Sequence, residues 1–360
     1  MSDLRIMEKY RQLQGYIVDM IESAGSGHYA SSMSALEIMY PLFYEEKISP
    51  GQFILSKGHA APALYAILYD LGYIDDLSCF RQYGGLPGHP EIKTNGVLCS
   101  SGSLGMGISK AAGIARANPG ITYHVLVGDG ELQEGQNWEA IMYLIANHIE
   151  NVIVHVDCNG QQYSGEVGDR GVAYLSLLYT EEILKCIRLH VTHWEKDNKY
   201  LTRPQTPEYN QVVQRYGERL EAIMKQNEKV IVLDADLMDD FGLRAISEKN
   251  PDRFIECGIS EQHMVSMANG LALSGYYPVC HTFGAFYKRC IDQIWNNYQD
   301  GIKVVYVAGL VGKHPLNIGL SHEAVSGKKM LSWLPDILVT SNIDDLKYLG
   351  IKSIYLEMVI

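Results

Sequence analysis

The sequence predicts an α/β protein built as two domains, each a mostly parallel sheet with helices on both faces. Three observations lead there. Short unbroken apolar runs alternate with longer stretches of helical periodicity, which suits strands buried on both faces of a parallel sheet. A polar, aperiodic segment ending in prolines separates two stretches that each begin with a helix. At 360 residues, the chain is long enough for two ordinary domains that each bury a core.

Taken in order, the first helix spans Leu4 to Ala24, with Ile6, Tyr10, Leu13, Ile17, Met20 and Ile21 at helical spacing. It stops at Gly25-Ser26-Gly27. Strands are expected at Tyr123–Val127, Val152–Val156, Val230–Asp234 and Val304–Val307. Helical stretches such as Asn137–Asn147 and Gln262–Leu273 lie between them. The segment HVTHWEKDNKYLTRPQTP, beginning at His190, reads as a linker. The domains are therefore drawn as 1–190 and 208–360, with a linker of 191–207. No repeat or low-complexity tract is evident.

Hydrophobic residues at 47% and charged residues at 20% give the balance of a soluble globular protein. A net charge of −12 argues against a nucleic-acid partner, which would need a basic stripe, but leaves room for a local pocket for a small phosphorylated molecule. Seven cysteines, at 79, 99, 158, 186, 257, 280 and 290, are scattered and form no CxxC pair. Neither a disulfide framework nor a zinc site is indicated, and most are expected as small buried residues in a reducing compartment. No apolar leader and no membrane-length apolar run occurs, so a cytoplasmic location without a membrane partner is expected.

The chemistry concentrates in VLVGDGELQEGQ, from Val125 to Gln136, and in DCNGQQ, from Asp157 to Gln162. An apolar strand running into Gly128-Asp129-Gly130 puts a carboxylate at the strand's carboxyl edge, where open α/β sheets bind ligands. Glycines let backbone amides approach an anion, and a following helix adds its positive end. The second strand presents Asn159 in the same way. A carboxylate, an amide oxygen and a backbone carbonyl form a hard oxygen set suited to Mg²⁺ bridging two phosphates. Taken alone, GDG serves equally well as a structural turn.

Further words accompany it: GSGH at 25–28, LSKGHA at 55–60, PGHPE at 87–91, SGSLGMGIS at 101–109, then RFIECGISEQHMV from Arg253 and HTFGAFY from His281. In this order they resemble the transketolases, enzymes dependent on thiamine diphosphate. The resemblance implies two thiamine-diphosphate-binding-type domains, a diphosphate domain followed by a pyrimidine domain. It implies that Asp129, Asn159 and the carbonyl of Gln161 hold Mg²⁺, or Ca²⁺ or Mn²⁺ in its place. Gly128, Gly130 and Glu131 would lie along the cofactor, and Gly102 and Leu104 would meet its aminopyrimidine. His28, His59 and His89 match catalytic histidines, whose near-neutral pKa suits moving protons on and off oxygens. Glu134 matches a carboxylate in a buried network between paired active sites.

In the second half, Glu261 matches the catalytic glutamate that hydrogen-bonds N1′ of the aminopyrimidine and drives the tautomer that takes the C2 proton. Phe283 and Phe286 match the aromatic pocket for that ring, Asp236 a residue beside the thiazolium, and His322 a substrate-side histidine. Bland readings stand beside these. A histidine next to glycine is often a capped loop residue, glutamate favours a first helical turn, and phenylalanine after a strand is mostly core.

The resemblance further implies a homodimer with active sites at the subunit interface, acting on small sugars or keto acids. The expected reaction moves a two-carbon ketol unit from a ketose (phosphate) or 2-oxo acid donor to an aldehyde. Decarboxylating acyloin or deoxyxylulose-phosphate-synthase-like carboligation is the alternative; a non-catalytic or partner-dependent subunit of a split enzyme is another. The chain departs from the family as a short form without the usual third domain and with a shortened first domain. Ile318 stands where an aspartate is expected, and the arginine that grips a sugar phosphate has no evident match.

Overall fold

The computed structural model describes residues 2–162, 165–166, 187–192, 207–312, 317–334 and 336–359. The chain divides into two compact units: Met1–Gln161, Glu166–Pro204 and Leu316–Ser321 form the first, and Gln162–Gly165, Gln205–Pro315 and His322–Ile360 the second. The expected linker lies outside the described residues from 193 to 206; Val191 closes a strand and Pro207 opens a helix.

In the first unit, α1 (Ser2–Ala24) buries Leu13, Ile17, Met20 and Ile21 on one stripe, each at 2% exposure or less. Burying side chains of this kind stabilises by about 2 kcal/mol each. The helix ends at Gly25, whose φ of +58° is the left-handed conformation that closes a helix at least cost for glycine. After α2 (Tyr29–Tyr40) come β1 (Phe53–Leu55), α3 (Ala61–Asp70), α4 (Gly107–Ala117), β2 (Tyr123–Gly128), α5 (Gly135–Ala146), β3 (Val152–Cys158) and β4 (Ile187–Val191). The four strands form a wholly parallel sheet in the order β1-β2-β3-β4. Alternation puts Phe53, Leu55 and Leu126 against α1, α2 and α3, while Ile54, Val125, Val127, Val154 and Val156 pack against α4 and α5.

The second unit opens with α6 (Pro207–Gln226), which buries Tyr209, Val213, Tyr216, Leu220 and Met224. Then follow β5 (Val230–Asp234), α7 (Arg244–Lys249), β6 (Phe254–Glu256), α8 (Glu261–Leu273), β7 (Tyr277–Phe283), α9 (Ile291–Gln299), β8 (Val305–Val311), β9 (Ile337–Thr340) and β10 (Ser353–Val359). The sheet is parallel in the order β9-β10-β8-β7-β5-β6. Chain progression reverses at β5, which has β6 on one side and β7 on the other. Ligands of open α/β sheets bind at the carboxyl edge of such a reversal.

An unexpected feature crosses the first sheet. His124, His155 and His190 form a diagonal ladder on its α1–α3 face: His124 Nδ1 lies 3.1 Å from His155 Nε2, and His155 Nδ1 lies 3.0 Å from His190 Nε2. Each contact pairs one N–H with one bare nitrogen, which three neutral rings supply without a buried charge. Burial lowers all three pKa values. His155 falls to about 3, with His190, His124 and Arg188 adding to the effect. Nearby Glu46 opposes the shift at His124, and Asp157 opposes it at His190.

Because the folded values lie below the ordinary 6.5, protons favour the unfolded chain. Stability should therefore be full above pH 6.5 and fall as pH drops toward the folded values. Urea midpoints across pH 7 to 4 test this, and His155→Asn should flatten the slope by up to about 1.4 kcal/mol per pH unit. An unchanged slope would show that the ladder does not titrate on unfolding.

Candidate functional site

Because the strands of the first sheet are parallel, the turns that follow them open on one rim. β1 runs into Ser56-Lys57, β2 into Asp129-Gly130, β3 into Asn159-Gly160, and β4 into Thr192. Asp129 is 4% exposed. Its Oδ1 accepts from the Gly130 amide at 2.8 Å and its Oδ2 from the Gly160 amide at 2.7 Å, which clips the second turn to the third. Asn159 Oδ1 accepts from the Gln161 amide at 2.9 Å. The segment after Asp129 is a short 3-10 turn, Gly130–Gln133, and α5 begins at Gly135, two residues before the expected Asn137.

Burial lifts the Asp129 carboxyl to about 6, against the two amides and Lys57, with Asp157 adding to the rise. A cation beside the carboxylate would offset that desolvation. The Asp129 carboxylate, the Asn159 amide oxygen and the Gln161 carbonyl are hard oxygen donors, and they fit a magnesium-class ion. Glu131 turns inward instead: Oε1 accepts from Ser56 Oγ at 2.5 Å and from the Gly105 amide at 2.9 Å, and Oε2 from the Gly128 amide at 3.2 Å. Burial raises its pKa while these three bonds oppose the rise. Its carboxylate therefore ties the Gly128 turn to the SGSLG turn.

The remaining sequence-picked residues of this unit gather on neighbouring turns. The His28 and His59 rings lie 5.2 Å apart at 59°. His28 occupies the N-cap of α2 without a side-chain cap bond, so capping does not account for it. Gly58 and Gly102 pack backbone to backbone: a Cβ on Gly58 would lie 2.7 Å from the Gly102 nitrogen. Gly102 itself has φ +133°, and a Cβ there would meet Ser321 Oγ at 2.2 Å and His89 Cβ at 3.1 Å. Leu104 is half-buried on this turn, and Gly105 (φ +86°) leaves room for the buried Glu134.

His89 departs from expectation. It is 4% exposed, and Nδ1 donates to the Ile318 carbonyl at 2.5 Å. Burial pushes its pKa down to about 4, Arg81 adding and the carbonyl opposing. A near-neutral proton carrier is thus replaced by a neutral ring whose Nε2 accepts. Ile318, in the place of the expected aspartate, contributes its backbone oxygen.

Sequence reasoning missed the network behind this rim. Lys57 (1% exposed) forms a buried ion pair with Asp157 (0%). Ser34 Oγ donates to Asp157 Oδ2 at 2.6 Å, and Thr192 Oγ1 donates to Oδ1 at 2.7 Å. The pair joins the turn bearing His59 to the strand that leads into Asn159. The signal was present as a lysine closing an apolar strand inside LSKGHA. Lys57→Met leaves a buried carboxylate without its cation and should cost about 3–5 kcal/mol in urea unfolding. Adding Asp157→Asn should restore most of that, and a single-variant cost under about 1 kcal/mol would show the pair to be hydrated.

In the second unit the turns after β5, β6 and β7 surround the reversal point. Asp236, after β5, is 2% exposed and has a left-handed φ of +60°. Its amide donates to Glu256 Oε1 at 3.0 Å, and the Gly258 amide donates to the same oxygen at 2.8 Å. Next to it, burial and then Glu256 hold the Asp234 carboxyl well above the carboxylate range. Glu261 is the first residue of α8, after β6, and is 3% exposed; a glutamate placed there only for the helix dipole would face water. After β7, the rings of Phe283 and Phe286 lie 5.6 Å apart, and His322 stands 6.3 Å from the first and 5.2 Å from the second. Arg289, which sequence reading passed over, reaches Glu261 Oε2 with Nη1 at 3.3 Å. Nothing in the spacing of the FYKR segment signals that contact.

The rim of the first unit thus gathers hard oxygen donors on glycine-rich turns, and the switch point of the second a buried acid and a pair of aromatic rings. Comparison with known proteins agrees with that division. The transketolase thiamine diphosphate binding domain matches residues 3–173, and the transketolase pyrimidine binding domain matches residues 210–351. The chain belongs to the transketolase family of thiamine-diphosphate-dependent transferases. Human transketolase is 28% identical over 369 residues, covering 76% of this chain and 59% of that protein. Mouse transketolase-like protein 2 is 26% identical over 421 residues, covering 88% and 66%. Transketolase 2 of Saccharomyces cerevisiae is 35% identical over 206 residues, covering 49% and 28%. Among the described residues no helix is long and apolar enough to cross a membrane.

Proposed function

We propose that this chain binds thiamine diphosphate with a divalent cation, magnesium by preference, and transfers a two-carbon ketol unit from a ketose phosphate or 2-oxo acid to an aldehyde. The observation that carries the reading is Glu261, a buried carboxylate held by Arg289, whose guanidinium lies over the Phe286 ring, at the switch point of the domain that matches pyrimidine binding. When bound, the cofactor supplies the electron sink that side chains lack.

The chain's own groups do the rest. Asp129, Asn159 and the Gln161 carbonyl hold the metal and, through it, the diphosphate. Glu261 holds a proton at N1′ of the aminopyrimidine; Phe283 and Phe286, whose rings lie against each other, offer an aromatic wall to that ring and shield the contact from water. Asp236 stands beside the thiazolium. His28 and His59 exchange protons with substrate oxygens, His89 accepts through Nε2, and His322 lies on the substrate side. Each cofactor is held between the first unit of one chain and the second unit of its partner in a homodimer, so Asp129 and Glu261 serve one site from different chains. The six described cysteines are free thiols, which suits the cytoplasm.

Calorimetry should show thiamine diphosphate binding that strengthens with Mg²⁺ and weakens strongly in Asp129→Ala; no binding at millimolar cofactor ends the reading. Glu261→Ala should retain metal and diphosphate binding yet lose C2 proton exchange by about 100-fold or more, followed by NMR. Exchange at the wild-type rate would remove the role given to Glu261. A donor screen with hydroxypyruvate, pyruvate and xylulose 5-phosphate then separates ketol transfer, for which the first or last turns over, from decarboxylating carboligation, which uses pyruvate.

A further inference from the structure

The guanidinium of Arg289 is fixed against Glu261 from several sides. Nη1 donates to Glu261 Oε2 at 3.3 Å, and the two side chains are 12% and 4% exposed, so little water screens the pair. The guanidinium carbon lies 5.8 Å from the centroid of Phe286, over the face of the ring. The Arg289 backbone carbonyl accepts from Gln262 Nε2 at 3.0 Å, which ties the turn Phe286–Cys290 to the first turn of α8.

Burial without a cation pushes a carboxyl toward its protonated form, because desolvation penalises the charged one. Facing a ring nitrogen, such a neutral acid would donate a hydrogen bond and leave the ring uncharged. A guanidinium stays charged at every accessible pH and favours the carboxylate instead. We infer that Arg289 is a positioning residue that sets where the proton rests between Glu261 and N1′ of the aminopyrimidine, keeping it on the ring. The step is a transfer of one proton from the carboxyl oxygen to N1′, with no other bond made or broken. Arg289 engages one carboxylate oxygen and leaves the other for the ring. The inference rests on the reading of Glu261 as the N1′ partner.

The test uses the full chain with Mg²⁺ and two ligands, thiamine diphosphate and its N1′-deaza analogue, which has CH in place of the ring nitrogen. Calorimetric affinities are measured for wild type, Arg289→Gln, Arg289→Lys and Glu261→Ala. Wild type should prefer the natural cofactor by at least about tenfold, the scale of a charge-assisted hydrogen bond. Arg289→Gln should cut that preference to about threefold or less while leaving the analogue's affinity unchanged, and Arg289→Lys, which keeps a cation, should recover most of it.

If Arg289→Gln weakens both ligands equally and the preference survives, the arginine only staples α8 to its neighbouring turn and the inference is overturned. Arg289→Lys, the least disruptive change, decides the matter if the glutamine variant fails to fold: a preference as low as that of Glu261→Ala contradicts a role for charge. Glu261→Ala separates the two levels. If that variant itself retains the preference, the assignment of Glu261 to N1′ fails, whatever Arg289 does.

Discussion

Parallel strand pairing is the constraint on which the rest depends. In a parallel sheet every strand ends on the same side, so whatever residue follows each strand is delivered to a common rim. In the first unit that rim receives Ser56, Lys57, Asp129, Asn159 and Thr192 from four strands. In the second it receives Asp236, Glu261 and Phe283 from the three strands around the reversal point. Neither set is contiguous in sequence. Both are assembled by hydrogen-bond register and by apolar strand residues that hold the two faces of each sheet.

Delivery to a buried rim creates an electrostatic problem, and the chain meets it differently at each carboxylate. Asp157 takes a lysine and two hydroxyls. Glu131 takes a serine hydroxyl and two backbone amides. Burial holds the Asp234 carboxyl well above the carboxylate range, and Glu261 takes an arginine. Asp129 has two amides and a residual cost of burial, which is the electrostatic opening a metal ion would fill. The partners differ in kind: Asp157 and Glu131 are held by groups that brace the turns, Glu261 faces a guanidinium, and among the described residues Asp129 has only two backbone amides directly on its oxygens.

Much of this was legible in the sequence, for identifiable reasons. Long apolar strands and amphipathic helices declare themselves through local periodicity, so Tyr123–Gly128 and Val230–Asp234 lie where expected. Asp129, Asn159 and Glu261 stand immediately after strands or at helix starts, positions that local order reveals. Contacts across the fold were not legible. The Lys57–Asp157 pair and the Arg289–Glu261 pair join residues far apart in sequence, and the histidine ladder depends on the register of three strands. The neutral state of His89 was hidden as well. It follows from burial and a carbonyl, and a histidine flanked by glycine and proline announces neither.

The raised pKa of the Asp234 carboxyl has a consequence for how the molecule responds to acid. Folding at Asp234 is accompanied by proton uptake, because the folded affinity exceeds the unfolded one; its contribution is complete at low pH and fades as pH climbs through the raised value. The imidazole ladder of the first unit and the buried His281 of the second act in the opposite sense and release protons on folding. Acid therefore pulls on each half in both directions: Asp129 and Asp234 favour the folded chain as pH falls, and the buried imidazoles favour the unfolded one.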